Sequence, residues 1–512
     1  MITKSRITFL VILVVVSACG ALSAQDAVTV SAQWEGPSKI SVTVPTTQHL
    51  ANSFTLRSHP FHKPLLKALQ NLHTDDTRLQ LWFSIPRQVL PELKEPTATE
   101  TFWDFTYVDP VMLDFYAHTS GIRHVNIGSI PRWMFNLPML DVPTDPAASF
   151  YDYTKGTTGE LLKDPTGKQF AEYQLRIFQW YTQGGFTDEL GKFHNSGHHL
   201  KIDYWGILNE PNWENHIGVE EYTKIYDAVA EAIHKVDPKV QFFGPEVTDI
   251  DGAIVPWARY FLNPRNHSPN APKLDWFSLH NYPVADNNPD SWHLKYFANK
   301  NDNSTDAFAE ELREVIKLRD ELSPDTKLAI DELGTFDVIK PGEDCGQAVE
   351  PYHAFHPRYW AASGGNWAVN FITAEQLGIP IISMTQMLGY ETQSPSTTML
   401  DWNNAKPNAH YWVLKLVAGN FGPGDKLIAT QSSSPDVVAQ ASITPTGRKV
   451  LLVNTTNRTI AVNLSDAFKA KAVRVETVDE ASGEQAPRRE IVASDKIRLA
   501  PFATAVIRVA KR

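Results

Sequence analysis

The chain has 512 residues, of which 42% are hydrophobic and 21% are charged, the composition of an ordinary globular protein. It carries 47 Lys and Arg residues against 58 Asp and Glu, so the formal net charge is −11. A negative chain without a long basic run argues against a broad surface for nucleic acid. The 14 Trp residues would suit a cleft for a neutral ligand, although burial is their more ordinary use.

Residues 1–24 have the three-part pattern of a secretory signal peptide, with two basic residues, an apolar run at 7–16 and small residues after it. The run is too short to span a bilayer, and no later segment predicts a transmembrane helix. We expect a secreted or periplasmic protein after cleavage. Residues 16–19 also resemble a lipobox, and in that alternative Cys19 would carry a lipid anchor.

The chain has two cysteines, and either fate of Cys19 leaves Cys345 without a partner. The sequence therefore predicts no internal disulfide. No feature supplies Cys345 with an activating base, so we expect an inert thiol.

Short apolar segments alternate with amphipathic helical segments from about residue 165 to residue 420. In residues 221–236, apolar side chains recur at helical spacing before an Asp-Pro stop, and the strand-like segment 240–244 follows. Near-continuous apolar strands are typical of a parallel sheet covered by helices. The pattern predicts an α/β fold, with a (β/α)8 TIM barrel over residues 45–422.

The pattern changes at residue 423, where short β-prone segments are separated by Gly, Pro, Ser and Asn turns. Residues 423–512 therefore predict a C-terminal antiparallel β-sandwich domain. Its expected strands are 426–431, 437–443, 449–454, 459–464, 472–478, 490–499 and 504–509. Residues 25–44 are also strand-prone, and we expect them to pack on the sandwich.

The segment Tyr204–Leu208 is an apolar strand that runs directly into Asn209, Glu210 and Pro211. The C-terminal ends of barrel strands form the catalytic face. Apolar surroundings raise the pKa of a carboxyl group, as a general acid near neutral pH requires. Asn209 can both donate to and accept from a substrate hydroxyl.

A second carboxylate has the same context, since the apolar segment 328–330 leads into Asp331 and Glu332. Glu210 and Glu332 are separated by roughly 120 residues, about three βα units, which places the two acids on strands 4 and 7. Carboxyl groups about 5–5.5 Å apart form the retaining glycosidase arrangement, whereas about 6.5–9.5 Å indicates inversion.

Polar residues follow a further predicted strand at 276–279, between the two acids in the sequence. His280 and Tyr282 are two residues apart and share a face if the strand continues to that point. A Tyr282 hydroxyl beside Glu332 would hold the carboxylate and favour its ionised form. The segments 126–133 and 243–246 are predicted to be further strand ends that face the same pocket.

Asn209, Glu210 and Pro211, together with Glu332, resemble the motifs of clan A glycoside hydrolases. Several segments are more closely similar to glycoside hydrolase family 39, the family of β-xylosidases and α-L-iduronidases, over roughly residues 100–430. These segments are 128–133, 209–212, 244–245, 280–282 and 331–332.

The resemblance implies roles for single residues. It makes Glu210 the acid/base, Glu332 the nucleophile and Asn209 a ligand of the sugar 2-hydroxyl. It makes His280 and Tyr282 sugar-binding or nucleophile-orienting residues, and Trp133, in a matching segment, is a further sugar-binding candidate.

The sequence departs from the family pattern at two places. Family members usually carry an arginine near the nucleophile from an early strand, and the segment 79–83 contains none. Arg57, Arg78 and Arg87 are the candidates. Leu208 also stands where family 39 commonly has a tryptophan before the asparagine.

Each functional interpretation has a structural alternative. Glu210 and Glu332 could cap strand ends, and His280 and Tyr282 could be ordinary strand-end hydrogen-bonding residues. A metal site is one interpretation of three nearby histidines, but a solvated loop is favoured because no carboxylate or Cys completes the ligand set at His194, His198 and His199. An exposed helix start is expected for Glu214, Glu220 and Glu221.

Together these features predict an exported retaining glycoside hydrolase, β-xylosidase-like, that needs no metal or cofactor and acts on a carbohydrate. The alternatives are a carbohydrate-binding protein without turnover, a clan A endo-glycanase of another family, and an inverting enzyme. The sequence does not select the sugar or the oligomeric state.

Overall fold

The computed structural model describes residues 27–249, 252–297, 308–338, 355–389, 395–468, 472–483 and 485–509. The predicted signal peptide, Cys19 and Cys345 lie outside the described residues. Among the helices that are described, none combines the length and the apolar character needed to cross a membrane.

Eight parallel strands close into a barrel. In chain order, barrel strands 1–8 are Val44–Leu50, Asp76–Leu81, Ile122–Ile127, Tyr204–Ile207, Gln241–Phe243 together with Pro245–Thr248, Trp276–Asn281, Lys327–Leu333 and Ile381–Met384. The first piece of strand 5 pairs with strand 4 and its second piece pairs with strand 6. Strand 8 pairs with strand 1, which completes the ring. The predicted (β/α)8 barrel is confirmed.

The barrel interior holds an apolar cluster near one end and a buried arginine toward the other. Near the end where the strands begin, five side chains form a small apolar cluster, namely Tyr204, Phe243, Trp276, Ala329 and Ile381. The rings of Phe243 and Trp276 stack with centroids 4.6 Å apart. Toward the other end the interior holds Arg78, which is 1% exposed and surrounded by carboxylates. Barrels of this kind hold their ligand sites at the end where the strands terminate, which is the end toward which Arg78 lies.

The described helices are His62–Leu72, Pro86–Val89, Val108–His118, Lys168–Thr182, Pro211–Glu214, Val219–His234, Ile254–Phe261, Pro289–Lys295, Phe308–Leu322, Tyr359–Leu377, Ala409–Ala418 and Ser465–Phe468. Val219–His234 agrees closely with the prediction for residues 221–236, and its apolar side chains at helical spacing are buried. Tyr359–Leu377 is buried over most of its surface. A helix that is apolar on all sides is surrounded by other elements.

The C-terminal domain is a sandwich of two sheets, as predicted. In spatial order, the larger sheet contains Ser38–Ile40, Lys426–Ile428, Val437–Thr444, Gly447–Asn454, Thr504–Val509, Val473–Val478 and Arg488–Val492. The smaller sheet contains Thr430–Ser432, Val28–Ala32, Ile460–Asn463 and Lys496–Leu499. The predicted single strands 426–431 and 490–499 were wrong, because in each case the two parts belong to different sheets. Two short ribbons pair Val284–Asp286 with Phe336–Val338 and Gly185–Thr187 with Phe193–Asn195.

The first described strands belong to the sandwich rather than to the barrel. Val28–Ala32 pairs parallel with Ile460–Asn463 and antiparallel with Thr430–Ser432. The first barrel strand begins at Val44, the last residue of the segment expected to join the sandwich.

The sandwich and the barrel share one hydrophobic core. Val453 and Phe502 of the sandwich belong to the same buried cluster as the barrel residues. The Phe502 ring lies 5.4 Å from that of Trp292 and 5.9 Å from that of Phe297, measured between centroids. The sandwich therefore packs directly against the barrel helices.

Candidate active site

Five of the six predicted site residues meet where the barrel strands end. Glu210 follows strand 4, His280 lies in strand 6 with Tyr282 just after it, and Glu332 lies in strand 7. His280 and Glu332 are partners across the two strands, next to a break in their register. One oxygen of Glu210, one oxygen of Glu332 and a ring nitrogen of His280 all lie within 4.8 Å of one another. The two acids therefore occupy strands 4 and 7, as the spacing predicted.

The Glu332 carboxylate is held by a donor on each oxygen. Arg78 Nη1–H donates to Oε1 at 2.6 Å, and the Tyr282 hydroxyl donates to Oε2 at 2.5 Å. Burial opposes ionisation, but the positive charges of His280 and Arg78 and these hydrogen bonds outweigh it, so the pKa of Glu332 is lowered. Glu332 is therefore suited to act as an anion.

Glu210 has the opposite electrostatic setting. Its Oε1 lies 2.8 Å from His280 Nδ1, and the residue is 9% exposed. Burial raises the pKa of Glu210 more than the His280 contact lowers it, and the nearby charge of Glu332 raises it further. Two neighbouring carboxyl groups with opposite pKa shifts are the arrangement of an acid beside an anion.

Of the three candidates for the early-strand arginine, Arg78 is the one that contacts Glu332. It lies in strand 2, where Nη1 also donates to Gln48 at 2.6 Å and Nη2 donates to Asn209 Oδ1 at 2.8 Å. The other two candidates lie elsewhere, since Arg57 pairs with Asp114 and Arg87 donates to a backbone carbonyl. The segment 79–83 contains no arginine because strand 2 begins earlier, at Asp76, and Arg78 lies before that segment.

The Asn209 amide is fixed in one orientation. Its Oδ1 accepts from Arg78, which can only donate, so its Nδ2 must point the other way. Nδ2 donates to Glu214 Oε1 at 2.6 Å, and one N–H remains for a substrate hydroxyl. This geometry fits the sugar 2-hydroxyl contact that the resemblance implied.

Glu214 was predicted to lie on an exposed helix start with Glu220 and Glu221, and for Glu214 this is wrong. Glu214 is 4% exposed and accepts from Asn209 and from the indole N–H of Trp82. Burial and the nearby Glu210 raise its pKa well above the usual range. The helix Pro211–Glu214 is a single turn, and it returns the carboxyl toward the end of strand 4.

Two further carboxyl groups lie beneath the site, namely Glu246 in the strand end predicted at 243–246 and Asp331 next to Glu332, and neither was predicted to have a chemical role. Glu246 is fully buried in strand 5 and accepts from Arg78 and from Asn126 Nδ2, the latter at 2.8 Å. Asp331 Oδ2 lies 3.7 Å from Arg78 Nε, and Asp331 Oδ1 lies 3.4 Å from His280 Nε2.

These groups could in principle hold a metal ion. Ligand atoms of Glu246, His280 and Asp331 all lie within 4.8 Å of one another, as do those of Glu210, His280 and Glu332. Arg78 already donates hydrogen bonds to Glu246 and Glu332, and it supplies the positive charge that a metal would bring. We therefore interpret the cluster as a hydrogen-bonded network around the arginine.

The remaining predicted residues lie outside this network. Trp133 is 3% exposed in the core, where its indole N–H donates to the Glu92 carbonyl at 3.0 Å, so its sugar-binding role stays a prediction without support from this geometry. His194 and His198 do not share a ligand set, since they contact Asp188 and Asp109 respectively.

Comparison with known proteins agrees with this geometry. Residues 198–354 match the family model of the glycosyl hydrolases family 39. This segment contains Glu210, His280 and Glu332 and spans strands 4 to 7, whereas Arg78 lies before it.

Solved structures of glycoside hydrolases share the fold over nearly the whole chain. A GH39 β-xylosidase from Caulobacter crescentus is 12% identical, with 94% of this chain and 99% of that chain covered and a TM-score of 0.54. The thermostable GH51 α-L-arabinofuranosidase from Thermotoga petrophila RKU-1 is 14% identical, with coverages of 94% and 99% and a TM-score of 0.58. A GH30 endoxylanase from Clostridium papyrosolvens C71 is 13% identical, with coverages of 94% and 99% and a TM-score of 0.53.

The chain has the fold of the clan A glycoside hydrolases, and residues 198–354 are similar to family 39. The resemblance inferred from the motifs at Glu210 and Glu332 is therefore confirmed. The sandwich has a different relative, since residues 435–507 match the D-apionate lactonase, C-terminal immunoglobulin-like domain. No curated protein matches the chain.

A sequence signal for Arg78 does exist. Asp76, Arg78 and Gln80 alternate with Thr77 and Leu79, and every second residue of a strand faces the same side. Three polar residues on one face of a buried barrel strand indicate that this face lines a ligand site inside the barrel. Glu246 lies in the strand end predicted at 243–246, whereas the burial of Glu214 has no comparable signal, because it depends on contact with the distant residue Trp82.

Proposed function

We propose that this protein is a retaining glycoside hydrolase in which Glu332 is the nucleophile and Glu210 the acid/base. The observation that carries this proposal is the pair of carboxyl oxygens within 4.8 Å of each other, on groups whose pKa values are shifted in opposite directions. Retaining enzymes hold their carboxyl groups about 5–5.5 Å apart, and inverting enzymes about 6.5–9.5 Å apart.

In the first step, Glu332 attacks the anomeric carbon while Glu210 gives its proton to the departing oxygen. The glycosidic bond breaks, and a glycosyl ester forms on Glu332. Tyr282 and Arg78 keep Glu332 ionised before the attack. When the ester breaks in the second step, Tyr282 and Arg78 can again donate to the Glu332 carboxylate and stabilise its charge.

In the second step, the ionised Glu210 takes a proton from a water molecule, and that water attacks the anomeric carbon. The ester bond to Glu332 breaks and the sugar leaves with its original configuration. His280 Nδ1 lies 2.8 Å from the Glu210 carboxyl and has a pKa raised well above the usual range by Glu332 and Asp331, although burial opposes this shift. A cationic His280 therefore stabilises the anionic form of Glu210 after its proton has left.

For the substrate, the first hypothesis is a β-xyloside, as for a β-xylosidase-like enzyme. The match of residues 198–354 to family 39 and the fold shared with a GH39 β-xylosidase support it. A clan A endo-glycanase of another family is the alternative, since the fold is also shared with a GH30 endoxylanase. A binding protein without turnover fits less well, because binding alone does not require two acids tuned in opposite directions.

The proposal is tested by a panel of aryl xylosides, arabinofuranosides, glucosides, galactosides and uronides. We expect release of phenol from at least one of them, and NMR of the first sugar product should show the anomeric configuration of the substrate. Glu332→Gln serves as the control for contaminating activity and should give no turnover while its circular dichroism is unchanged. Inverted product, or turnover retained by Glu332→Gln, would overturn the mechanism.

We also propose that the protein is exported, on the pattern of residues 1–24. Fractionation of cells that express the full chain, alone and as Cys19→Ser, separates the two routes. A soluble periplasmic or secreted product from both chains supports cleavage by signal peptidase. Membrane association that is lost only in Cys19→Ser supports the lipoprotein alternative.

A further inference from the structure

We propose that Glu246 is a positioning residue for this reaction, which holds Arg78 between Glu332 and Asn209 while its own carboxyl group is neutral. The inference rests on the proposed glycosidase function and concerns a residue outside the acid pair.

Glu246 contacts both halves of the catalytic apparatus. Its Oε2 accepts from Arg78 Nη2, and the same nitrogen donates to Asn209. Its backbone carbonyl accepts the backbone N–H of Glu210 at 3.1 Å. Glu246 thus connects Arg78, which donates to the proposed nucleophile Glu332, with the backbone of the proposed acid Glu210.

The strand ends that Glu246 joins have an unusual backbone. Leu208, Glu210 and Glu246 have φ values of 63°, 39° and 52°, in the left-handed region that non-glycine residues rarely adopt. Asn126 Nδ2 donates to both the Leu208 carbonyl, at 2.7 Å, and Glu246 Oε2, at 2.8 Å. Asn126 and Glu246 therefore jointly stabilise the backbone conformation that orients the Glu210 side chain.

The positive groups around Glu246 already contact other carboxyl groups. The groups that face Glu246 are Arg78 on strand 2, Asn126 on strand 3, Ser278 and His280 on strand 6, Asp331 and Glu332 on strand 7, and Tyr222 on the helix Val219–His234. Arg78 and His280 each lie within 3.7 Å of both Asp331 and Glu332. A further buried anion would have no positive group of its own in this set.

The surroundings of Glu246 Oε1 favour a neutral carboxyl for a second reason. This oxygen makes no hydrogen bond to any residue that the structure describes, and it packs on Gly206, where an added Cβ would lie 2.5 Å away. Burial is the main cause that raises the pKa of Glu246, to about 8, against the lowering effect of Arg78. Ionisation at higher pH would place a second anion on Arg78, in competition with Glu332.

The test compares the wild type with Glu246→Gln and Glu246→Ala on a dinitrophenyl glycoside of the sugar that the panel selects. Its leaving group needs little protonation, so ionisation of Glu210 has little effect on the first step. Glutamine reproduces the size and the acceptor oxygen of a neutral glutamic acid. We expect Glu246→Ala to lose on the order of 10²-fold in kcat/KM, and Glu246→Gln to recover to within about tenfold of the wild type.

The pH profile separates this role from a merely structural one. Wild-type kcat/KM should fall above about pH 8, as Glu246 ionises, and the fall should be absent in Glu246→Gln. A Glu246→Gln variant as impaired as Glu246→Ala would show that the anion is required. An unchanged alkaline fall in Glu246→Gln would assign it to another group. Either result overturns the proposal.

A spectroscopic measurement keeps the inference separate from the proposed activity. The infrared difference spectrum between neutral and alkaline pH should contain the carbonyl band of a protonated carboxylic acid that is lost in Glu246→Gln. If no glycoside is cleaved by the wild type, the glycosidase proposal fails while this band still reports the state of Glu246. Absence of the band at neutral pH would overturn the neutral assignment.

Discussion

Arg78 Nη1 lies 2.6 Å from Glu332 Oε1, although 254 residues separate the two side chains in the sequence. Arg78 is 1% exposed and also contacts Asn209 and Glu246, so one guanidinium group links strands 2, 4, 5 and 7. The planar fork of arginine allows several directed hydrogen bonds at once, which a lysine cannot reproduce.

Arg78→Lys should therefore lower kcat/KM on the order of 10²-fold, because Lys retains the charge but loses the hydrogen bonds that orient Glu332 and Asn209. Steady-state kinetics on the best aryl glycoside measure this loss. Arg57→Lys is the matched control, since Arg57 pairs with Asp114 away from the site. Equal activities of the two variants would contradict a role for Arg78.

Glu210→Ala should discriminate between leaving groups. Glycosides with poorly acidic phenols need a proton in the first step and should lose on the order of 10³-fold, whereas dinitrophenyl glycosides should lose far less in kcat/KM. The measurement is a plot of log(kcat/KM) against phenol pKa for the wild type and the variant. Parallel plots would argue against Glu210 as the acid.

Tyr282→Phe should move the acidic limb of the pH profile to higher pH. The hydroxyl donates to Glu332 Oε2 and is one cause that lowers the pKa of Glu332, so its loss raises that pKa. The anion then forms only at higher pH, and kcat/KM at acidic pH falls. Tyr116→Phe, whose hydroxyl contacts the Lys201 carbonyl away from the site, is the control and should leave the limb in place.

Glu214→Ala should weaken recognition of the sugar 2-hydroxyl. Asn209 Nδ2 would lose its partner, and the amide would be free to rotate about its bond to Arg78. We expect about a tenfold loss in kcat/KM on the parent glycoside, the effect of roughly one hydrogen bond, and a smaller loss on the 2-deoxy glycoside. Glu220→Ala changes an exposed glutamate of the next helix and should have little effect on either substrate.

Phe502→Ala should destabilise the whole chain rather than the sandwich alone. Phe502 is fully buried between the sandwich and the barrel, against Trp292 and Phe297, so its truncation should cost about 3–5 kcal/mol. Phe193 is 59% exposed, and Phe193→Ala should change the free energy of unfolding by less than about 0.5 kcal/mol. Chemical denaturation measures both, and a Phe502→Ala protein with a separate sandwich transition would contradict a shared core.

The sequence was sufficient for the barrel, the sandwich and the positions of both acids, because each depends on a local pattern. An apolar strand followed by an acid identifies Glu210 and Glu332 without knowledge of their partners. The network beneath them was not accessible in this way. The strand end 243–246 was predicted to face the pocket, but the roles of Glu246 and Glu214 follow only from their approach to Arg78 and Asn209 in the closed barrel.

Boundaries and exposure were the other limits of sequence reasoning. Strand 2 begins at Asp76, three residues before the segment 79–83, and this shift left Arg78 as one of three candidate arginines. Trp133 resembled a site residue because it lies in a family-like segment, yet its indole is occupied by the Glu92 carbonyl in the core. The sequence pattern alone does not show whether the Trp133 ring packs in the core or lines the pocket.

The position of Val28–Ala32 in the sandwich has a consequence for biosynthesis. Val28 pairs with Val462 in the smaller sheet, so this sheet cannot be completed until nearly all of the polypeptide has left the ribosome. Until residues 430–432 and 460–463 have been made, the N-terminal strand presents unpaired backbone edges, which are prone to association with other chains. A translation product that stops within the barrel would keep its first strand unpaired, and such a product is expected to aggregate or be degraded.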